Sequence, residues 1–424
     1  MFARRTAPLG ALCALLAVPA IASQATAGTS SLAAPPPAVQ AAIRDLWARS
    51  PRVEAADASL RAAQERAHAA GQPVYNPSLQ LDGENADVDR RTVGASLTLD
   101  VTGKRGARVV ENAAAVRGRE AVLRRERRDV AAEWLKAWAG TTLARDQVVL
   151  GRERLALMQR FDAEAARRLE AGDISGPERD LARLALGEAH VQQSALDAQA
   201  ASADAALAAL GSDVREPLPA LPRELPPSID AVVPVPEAER IETVEAQAEQ
   251  ERSDAAVVVA DRARRPDPTV SLTGGQVRSG PRTDRVVGVS VSIPIPLRNS
   301  GRHDVDAARA DADAAWAARR AVALRVAAQW QGTRATYAAL RAASESFRRT
   351  RAEGRDAPTL QLDRLWQAGE ITTSDYLVQV KQHLDTALAG LALENQAWQA
   401  WFDYLATSGR LTEWIGSHAK DTTP

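Results

Sequence analysis

The chain has 424 residues, with 53 Lys and Arg against 54 Asp and Glu, a net charge of -1 and no polybasic run. That balance excludes the electrostatic footprint of a nucleic-acid-binding protein. Aromatic residues make up only 4% and alanine dominates long stretches, which suits extended helices in shallow contact better than one large globular core.

The N-terminus carries Arg4 and Arg5, an apolar stretch ending at Ala22, and Ala-x-Ala options at Ala20/Ala22 and Ala25/Ala27. This is the layout of a secretory signal, expected over residues 1–27. It contains Cys13, the single cysteine, so the mature chain is expected to have no thiol. No later run approaches the roughly 18–20 apolar residues of a spanning helix, so any membrane segment must be built from strands.

Chain order then predicts a helix over about 38–71, a β-hairpin over 78–100, a long helix over 107–170 and a return helix over 177–210, entered at Pro177. A Pro-rich connection follows over 213–236, where repeated prolines forbid helix. The same order recurs: a helix over 237–264, a hairpin over 269–293, a long helix over 302–368 and a return helix over 373–406, with a tail over 409–424. Three landmarks carry the duplication. NPSLQL (76–81) matches DPTVSL (267–272), VGASLTLDVTGKRG (93–106) matches VGVSVSIPIPLRNSG (287–301), and LEAGDIS (169–175) matches WQAGEIT (366–372). Residues 28–212 and 237–408 therefore read as two repeats of one unit. Gly354 and Pro358 should kink or break the second long helix.

A helix of some 64 residues is a rod of roughly 95 Å. Two short helices end to end match it in each repeat, giving four helical columns per chain. In the strands, Val93, Ala95, Leu97 and Leu99 alternate with Gly94, Ser96 and Thr98, and Val287, Val289, Val291 and Ile293 with Gly288, Ser290 and Ser292. Alternation alone leaves open a half-buried soluble sheet or a lipid-facing one. Four strands cannot close a barrel, so several copies would have to contribute; two give about eight strands and a filled interior, three give twelve and a lumen.

The five histidines (His68, His190, His303, His383, His418) are far apart, so no metal-ligand set is visible and no cofactor is expected. No catalytic triad, phosphate-binding glycine loop or paired catalytic carboxylates stand out, so an enzyme is not indicated. Trp134, Trp138, Trp330, Trp398 and Trp401 read as helix-packing residues.

The duplicated strand starts, the VGVSVSIPIPLRNSG segment and the AGDIS/AGEIT turns together resemble the TolC family of outer-membrane efflux proteins over essentially the whole mature sequence. Ile293-Pro294-Ile295-Pro296-Leu297 with Asn299 and Gly301 is most similar to the heavy-metal cation-efflux branch. The resemblance implies a mainly α fold with membrane β: a long α-helical barrel in the periplasm joined to a trimeric 12-stranded β-barrel in the outer-membrane lipid, four strands per chain. It further implies a homotrimer that docks on a periplasmic adaptor and an inner-membrane resistance-nodulation-division pump, conducting metal cations or small toxic compounds without chemistry. Two alternatives stay open: a trimeric coiled-coil scaffold of the cell envelope, and an exit duct for a type I secreted protein.

By the same resemblance the two tight turns form the periplasmic entrance. Gly172 and Gly369 end one helix and Ser175 and Thr372 cap the next. Contact of these turns with an adaptor is implied by the family, with Arg168 fitting its pattern; the second turn has Leu365 at that position and Arg364 one residue earlier. Six residues beyond each glycine stands an acid, Glu178 and Asp375. Threefold symmetry would make each a carboxylate ring, and the family places a pore constriction at Asp375, with Glu178 the weaker candidate and Val378 where a second acid would stand. Either acid also fits a plain first-turn role against the helix dipole.

Overall fold

The computed structural model describes residues 34–85, 87–213, 216–353 and 358–416. The expected signal segment with Cys13, the interruption at Gly354 and the end of the tail lie outside the described residues.

The helix expected over 38–71 is two helices, α1 (Pro37–Arg49) and α2 (Pro51–Ala70). Pro51 bars a helical conformation at the residue before it, and Ser50 adopts φ -73, ψ 119. The first long helix, α3 (Lys104–Ala171), has 68 residues and so runs about 100 Å. It starts three residues earlier than expected, because the Asp100 carboxylate accepts from the Lys104 and Arg105 backbone N–H groups, both at 2.8 Å, and satisfies the first turn. Then come α4 (Gly176–Ala209) and α5 (Ile241–Ala263). Where one second long helix was expected stand α6 (Arg302–Glu353) and α7 (Pro358–Gln367), the latter opened by a proline at its first position. The last two are α8 (Thr373–Ser408) and a short α9 (Leu411–Ile415) inside the expected tail.

Helix contacts arrange these elements as four neighbouring columns. α2 and α4 pack on α3, α3 packs on α5 and α8, and α5 and α8 pack on α6. Buried arginines tie the columns together. Arg128 on α3 bonds Glu242 on α5 at 2.5 Å, and Arg154 on α3 reaches Asp385 on α8 at 2.7 Å and Gln192 on α4. Among the described residues no helix is long and apolar enough to cross a membrane.

The main core lies midway along α3. Trp134 and Trp138 meet Tyr337 of α6, Trp398, Trp401 and Phe402 of α8, and the apolar faces of α1 and α9. The Pro-rich connection wraps this level as an acceptor strip: the Pro219 carbonyl takes a hydrogen bond from Trp138 Nε1 at 2.8 Å, Pro226 from Arg341 Nε at 3.0 Å, and Pro227 from the Tyr337 hydroxyl. Proline cannot donate to a ladder, but its carbonyl still needs a partner.

Strands β1 (Ser78–Glu84), β2 (Val88–Thr98), β3 (Thr269–Ser279) and β4 (Arg282–Ser292) form one antiparallel meander in the order β1-β2-β3-β4. The two hairpins of the sequence thus join through β2 and β3. Below the sheet, buried Asp267 gathers the connections to the stalk. It accepts from Tyr75 Oη at 2.9 Å and Thr102 Oγ1 at 2.9 Å, and pairs with Lys104 Nζ at 3.0 Å.

Candidate functional site

Two regions carry the functional expectations: the sheet at one end of the columns and the pair of helix turns at the other. In the sheet, directly paired residues share a face. One face holds the rows Leu97–Val270–Val291, Leu79–Ala95–Leu272–Val289 and Leu81–Val93–Gly274–Val287. The opposite face holds Thr98–Thr269–Ser292, Ser78–Ser96–Ser271–Ser290 and Gln80–Gly94–Thr273–Gly288. Among the described residues nothing covers the apolar face: Leu79 is 70% exposed, Leu81 73%, Val287 81% and Val289 71%. At about 1.5–3 kcal/mol for each large aliphatic side chain, leaving six or more in water forfeits roughly 10 kcal/mol, comparable to a whole domain's stability. This face therefore needs an apolar environment, and strands β1 and β4 both present unpaired edges that need partners.

The polar face is built close to the backbone. A Cβ at Gly275 would stand 2.1 Å from the Arg91 carbonyl oxygen, an overlap no backbone absorbs. Hydroxyl pairs Ser78–Ser96 at 2.6 Å and Thr98–Thr269 at 2.8 Å line the same face.

At the far end, both helix turns use one design. Gly172 has φ 82 and Gly369 φ 74, the left-handed backbone that glycine adopts without steric cost. Asp173 N–H bonds the Arg168 carbonyl at 2.8 Å and Gly172 N–H the Leu169 carbonyl at 3.0 Å; Glu370 and Gly369 repeat this on Leu365 and Trp366 at 2.9 and 3.0 Å. Glu178 Oε2 accepts from both the backbone N–H and the hydroxyl of Ser175 at 2.8 Å, closing a capping box on α4. The Ser175 backbone bond, with its hydroxyl bond second, holds the Glu178 carboxyl below the usual range. Thr372 Oγ1 accepts from Asp375 N–H at 3.1 Å and lies 2.7 Å from Asp375 Oδ2, capping α8. Both acids thus hold the first-turn position of their helices; Asp375 is exposed and Glu178 partly so.

Arg168 is mostly enclosed, with 18% of its side chain exposed. Its guanidinium lies 4.4 Å from the centre of the Trp366 ring and donates to the Trp366 and Gln367 carbonyls at 3.2 and 3.1 Å. It therefore binds the first turn to the carbonyl end of α7 in the second. A second hydrophobic cluster fills the tip: Phe161, Trp366 and Tyr376 lie with ring centres 4.6–5.1 Å apart, over Met158, Val380 and Leu384. Burial, with the nearby Asp363 charge, pushes the Tyr376 phenol up to about 12. Sequence reasoning missed this triad. Its only signal was placement: three aromatic residues flank the two turn glycines in a chain otherwise poor in rings. Among the described residues no cluster of His, Cys, Asp and Glu could hold a metal ion.

An apolar sheet uncovered among the described residues, with two open edges, stands at the end of columns about 100 Å long. No family model matches the chain. It is similar to the cobalt-zinc-cadmium resistance protein CzcC of Cupriavidus metallidurans, 29% identical over 241 residues, which cover 54% of this chain and 56% of that protein. The sequence match thus spans little more than half of the relative. Among solved structures, a membrane protein from Pseudomonas aeruginosa matches with TM-score 0.74 and 16% identity, over 90% of this chain and 95% of that one. The outer-membrane channel OprN matches with TM-score 0.72 and 19% identity over 90% and 91%. The open-state MtrE outer membrane channel of Neisseria gonorrhoeae matches with TM-score 0.66 and 17% identity over 88% and 90%. The fold is that of the TolC-family outer-membrane channels, as the sequence resemblance implied.

Proposed function

We propose that the protein is the outer-membrane conduit of a tripartite efflux system. Three copies close a twelve-stranded barrel, β4 of each pairing with β1 of the next, and their columns close a helical barrel below it. The observation that carries this reading is the four-stranded sheet whose apolar face and both edges lack any partner among the described residues. A trimer satisfies the edges, lipid satisfies the apolar face, and the Ser/Thr/Gly face lines a water-filled bore.

The tip turns, with Gly172, Ser175, Gly369 and Thr372 at the surface, meet a periplasmic adaptor linked to an inner-membrane pump of the resistance-nodulation-division class. Arg168 serves this contact by holding the two turns together, since its guanidinium is engaged within the chain. Asp375 is the constriction residue: its carboxylate is exposed at the entrance, and three copies around an axis favour cations over anions. Glu178, held by Ser175, is the lesser contributor. The cargo is a metal cation, a reading supported by the likeness to a cobalt-zinc-cadmium resistance protein.

Planar-bilayer recording of the purified protein, with growth of a deletion strain on cobalt, zinc and cadmium salts, tests the proposal. Cation-preferring channels and metal sensitivity are expected. A protein that gives no conductance, or a deletion without effect on any metal, would overturn it.

A further inference from the structure

The outer ends of the hairpins carry charges that are sorted by face. Following the register past the apolar row Leu81–Val93–Gly274–Val287, the same face presents Gly83–Arg91–Gln276–Arg285, then Asp89–Arg278–Thr283. The opposite face presents Asp82, Glu84, Arg90, Arg282 and Asp284. The apolar side therefore ends in three arginines and one aspartate, and the bore side in three acids and two arginines.

The three arginines on the apolar side are exposed, and among the described residues none has a carboxylate within ion-pair distance. Arg278 Nε reaches only the Gly280 carbonyl, at 3.4 Å. Five arginines of the stalk, Arg52, Arg117, Arg128, Arg154 and Arg179, pair with acids instead. Arg91 and Arg285 occupy the row next to Val93 and Val287, and Arg278 the row beyond it, at the strand ends farthest from the helices.

Resting on the barrel reading above, we infer that Arg91, Arg278 and Arg285 form a collar that binds the phosphates of anionic lipid headgroups in the outward-facing leaflet. The valine row beneath takes the acyl chains, and each planar guanidinium matches a phosphate with two parallel donors. Asp89 is the one opposing charge on that face. With three copies the collar carries nine arginines against three aspartates.

Native mass spectrometry of the detergent-solubilised full-length assembly tests this, with bis-phosphorylated lipid A as the probe. Arg91→Gln, Arg278→Gln and Arg285→Gln should each weaken lipid retention about fivefold, while Arg91→Lys, which keeps the charge and loses the paired donors, should weaken it less than Arg91→Gln does. Arg90→Gln and Arg282→Gln remove the same charge from the bore side and should leave retention unchanged. Dephosphorylated lipid A should bind more weakly, and millimolar inorganic phosphate should not displace the lipid. Equal weakening by the bore-side variants, equal binding of dephosphorylated lipid, or displacement by inorganic phosphate would each overturn the inference. Bilayer conductance separates the two readings: collar variants that conduct normally and retain lipid like the parent sink the collar alone, whereas a parent without conductance sinks the conduit.

Discussion

Replacing Trp366 by alanine should loosen the periplasmic tip and leave the rest of the chain folded. The side chain is 2% exposed and meets Phe161 at 4.6 Å, Tyr376 at 5.1 Å and the Arg168 guanidinium at 4.4 Å. Truncating such a ring costs about 3–5 kcal/mol. The loss stays local because the tip cluster shares no residue with the tryptophan core around Trp138 and Trp401. About 4 kcal/mol corresponds to roughly a thousandfold change in the local opening equilibrium. Hydrogen exchange of the assembled protein reads this directly: amides of residues 362–380 should lose protection by about that factor, and those beside Trp138 and Trp401 should keep theirs. Trp366→Phe should recover part of the loss. Equal deprotection at both levels, or none at the tip, would refute the view that the tip is an independently packed unit.

Four further outcomes follow from the same geometry. Arg168→Ala removes a ring contact and two charge-assisted bonds to carbonyls, about 2–4 kcal/mol in all, and should raise protease sensitivity at residues 364–372 without changing the strands. Asp375→Asn should lower cation preference or raise single-channel conductance; unchanged channels would remove Asp375 from the constriction. Gly275→Val should abolish the heat-stable assembled band on a denaturing gel, because its Cβ has no space beside the Arg91 carbonyl. Asp267→Ala strands Lys104 and should cost about 3–5 kcal/mol at neutral pH. Burial works against the Asp267 charge, but bonds from Lys104, Tyr75 and Thr102 prevail and hold its carboxyl below the usual range. A depressed carboxyl stabilises above its unfolded pKa of about 3.9 and loses that contribution as pH falls through the lower folded value. The stability gap between parent and variant in denaturant melts should therefore be full above pH ~4 and close on further acidification.

The periodic parts of this fold were legible because their cause is local. Alternation from Val93 and Val287 placed the strands, and glycine at 172 and 369 placed the helix ends, since both positions need φ above zero. Pro358 marked the start of α7, while Pro51, which opens α2 in the same way, went unread inside an alanine-rich stretch. The long-range pairings were not legible. Nothing near Arg168 says that its guanidinium will lie on Trp366, 198 residues away, or that proline carbonyls at 219 and 227 will serve Trp138 and Tyr337. Asp267 was noticed only as part of a repeat, although its partners Tyr75, Thr102 and Lys104 come from the other copy. At the entrance, spacing named Glu178 and Asp375, and the structure adds that each carboxylate bonds the Ser or Thr that caps its helix. These acids therefore combine a helix-starting role with any role in the pore.

By this reading the exposed sheet is one third of a closed, lipid-embedded cylinder. The mass of the intact particle released from outer membranes by detergent tests it most directly. Three copies of the chain, retained in membranes after carbonate washing, are the predicted result; a single copy that stays in solution without detergent contradicts the account.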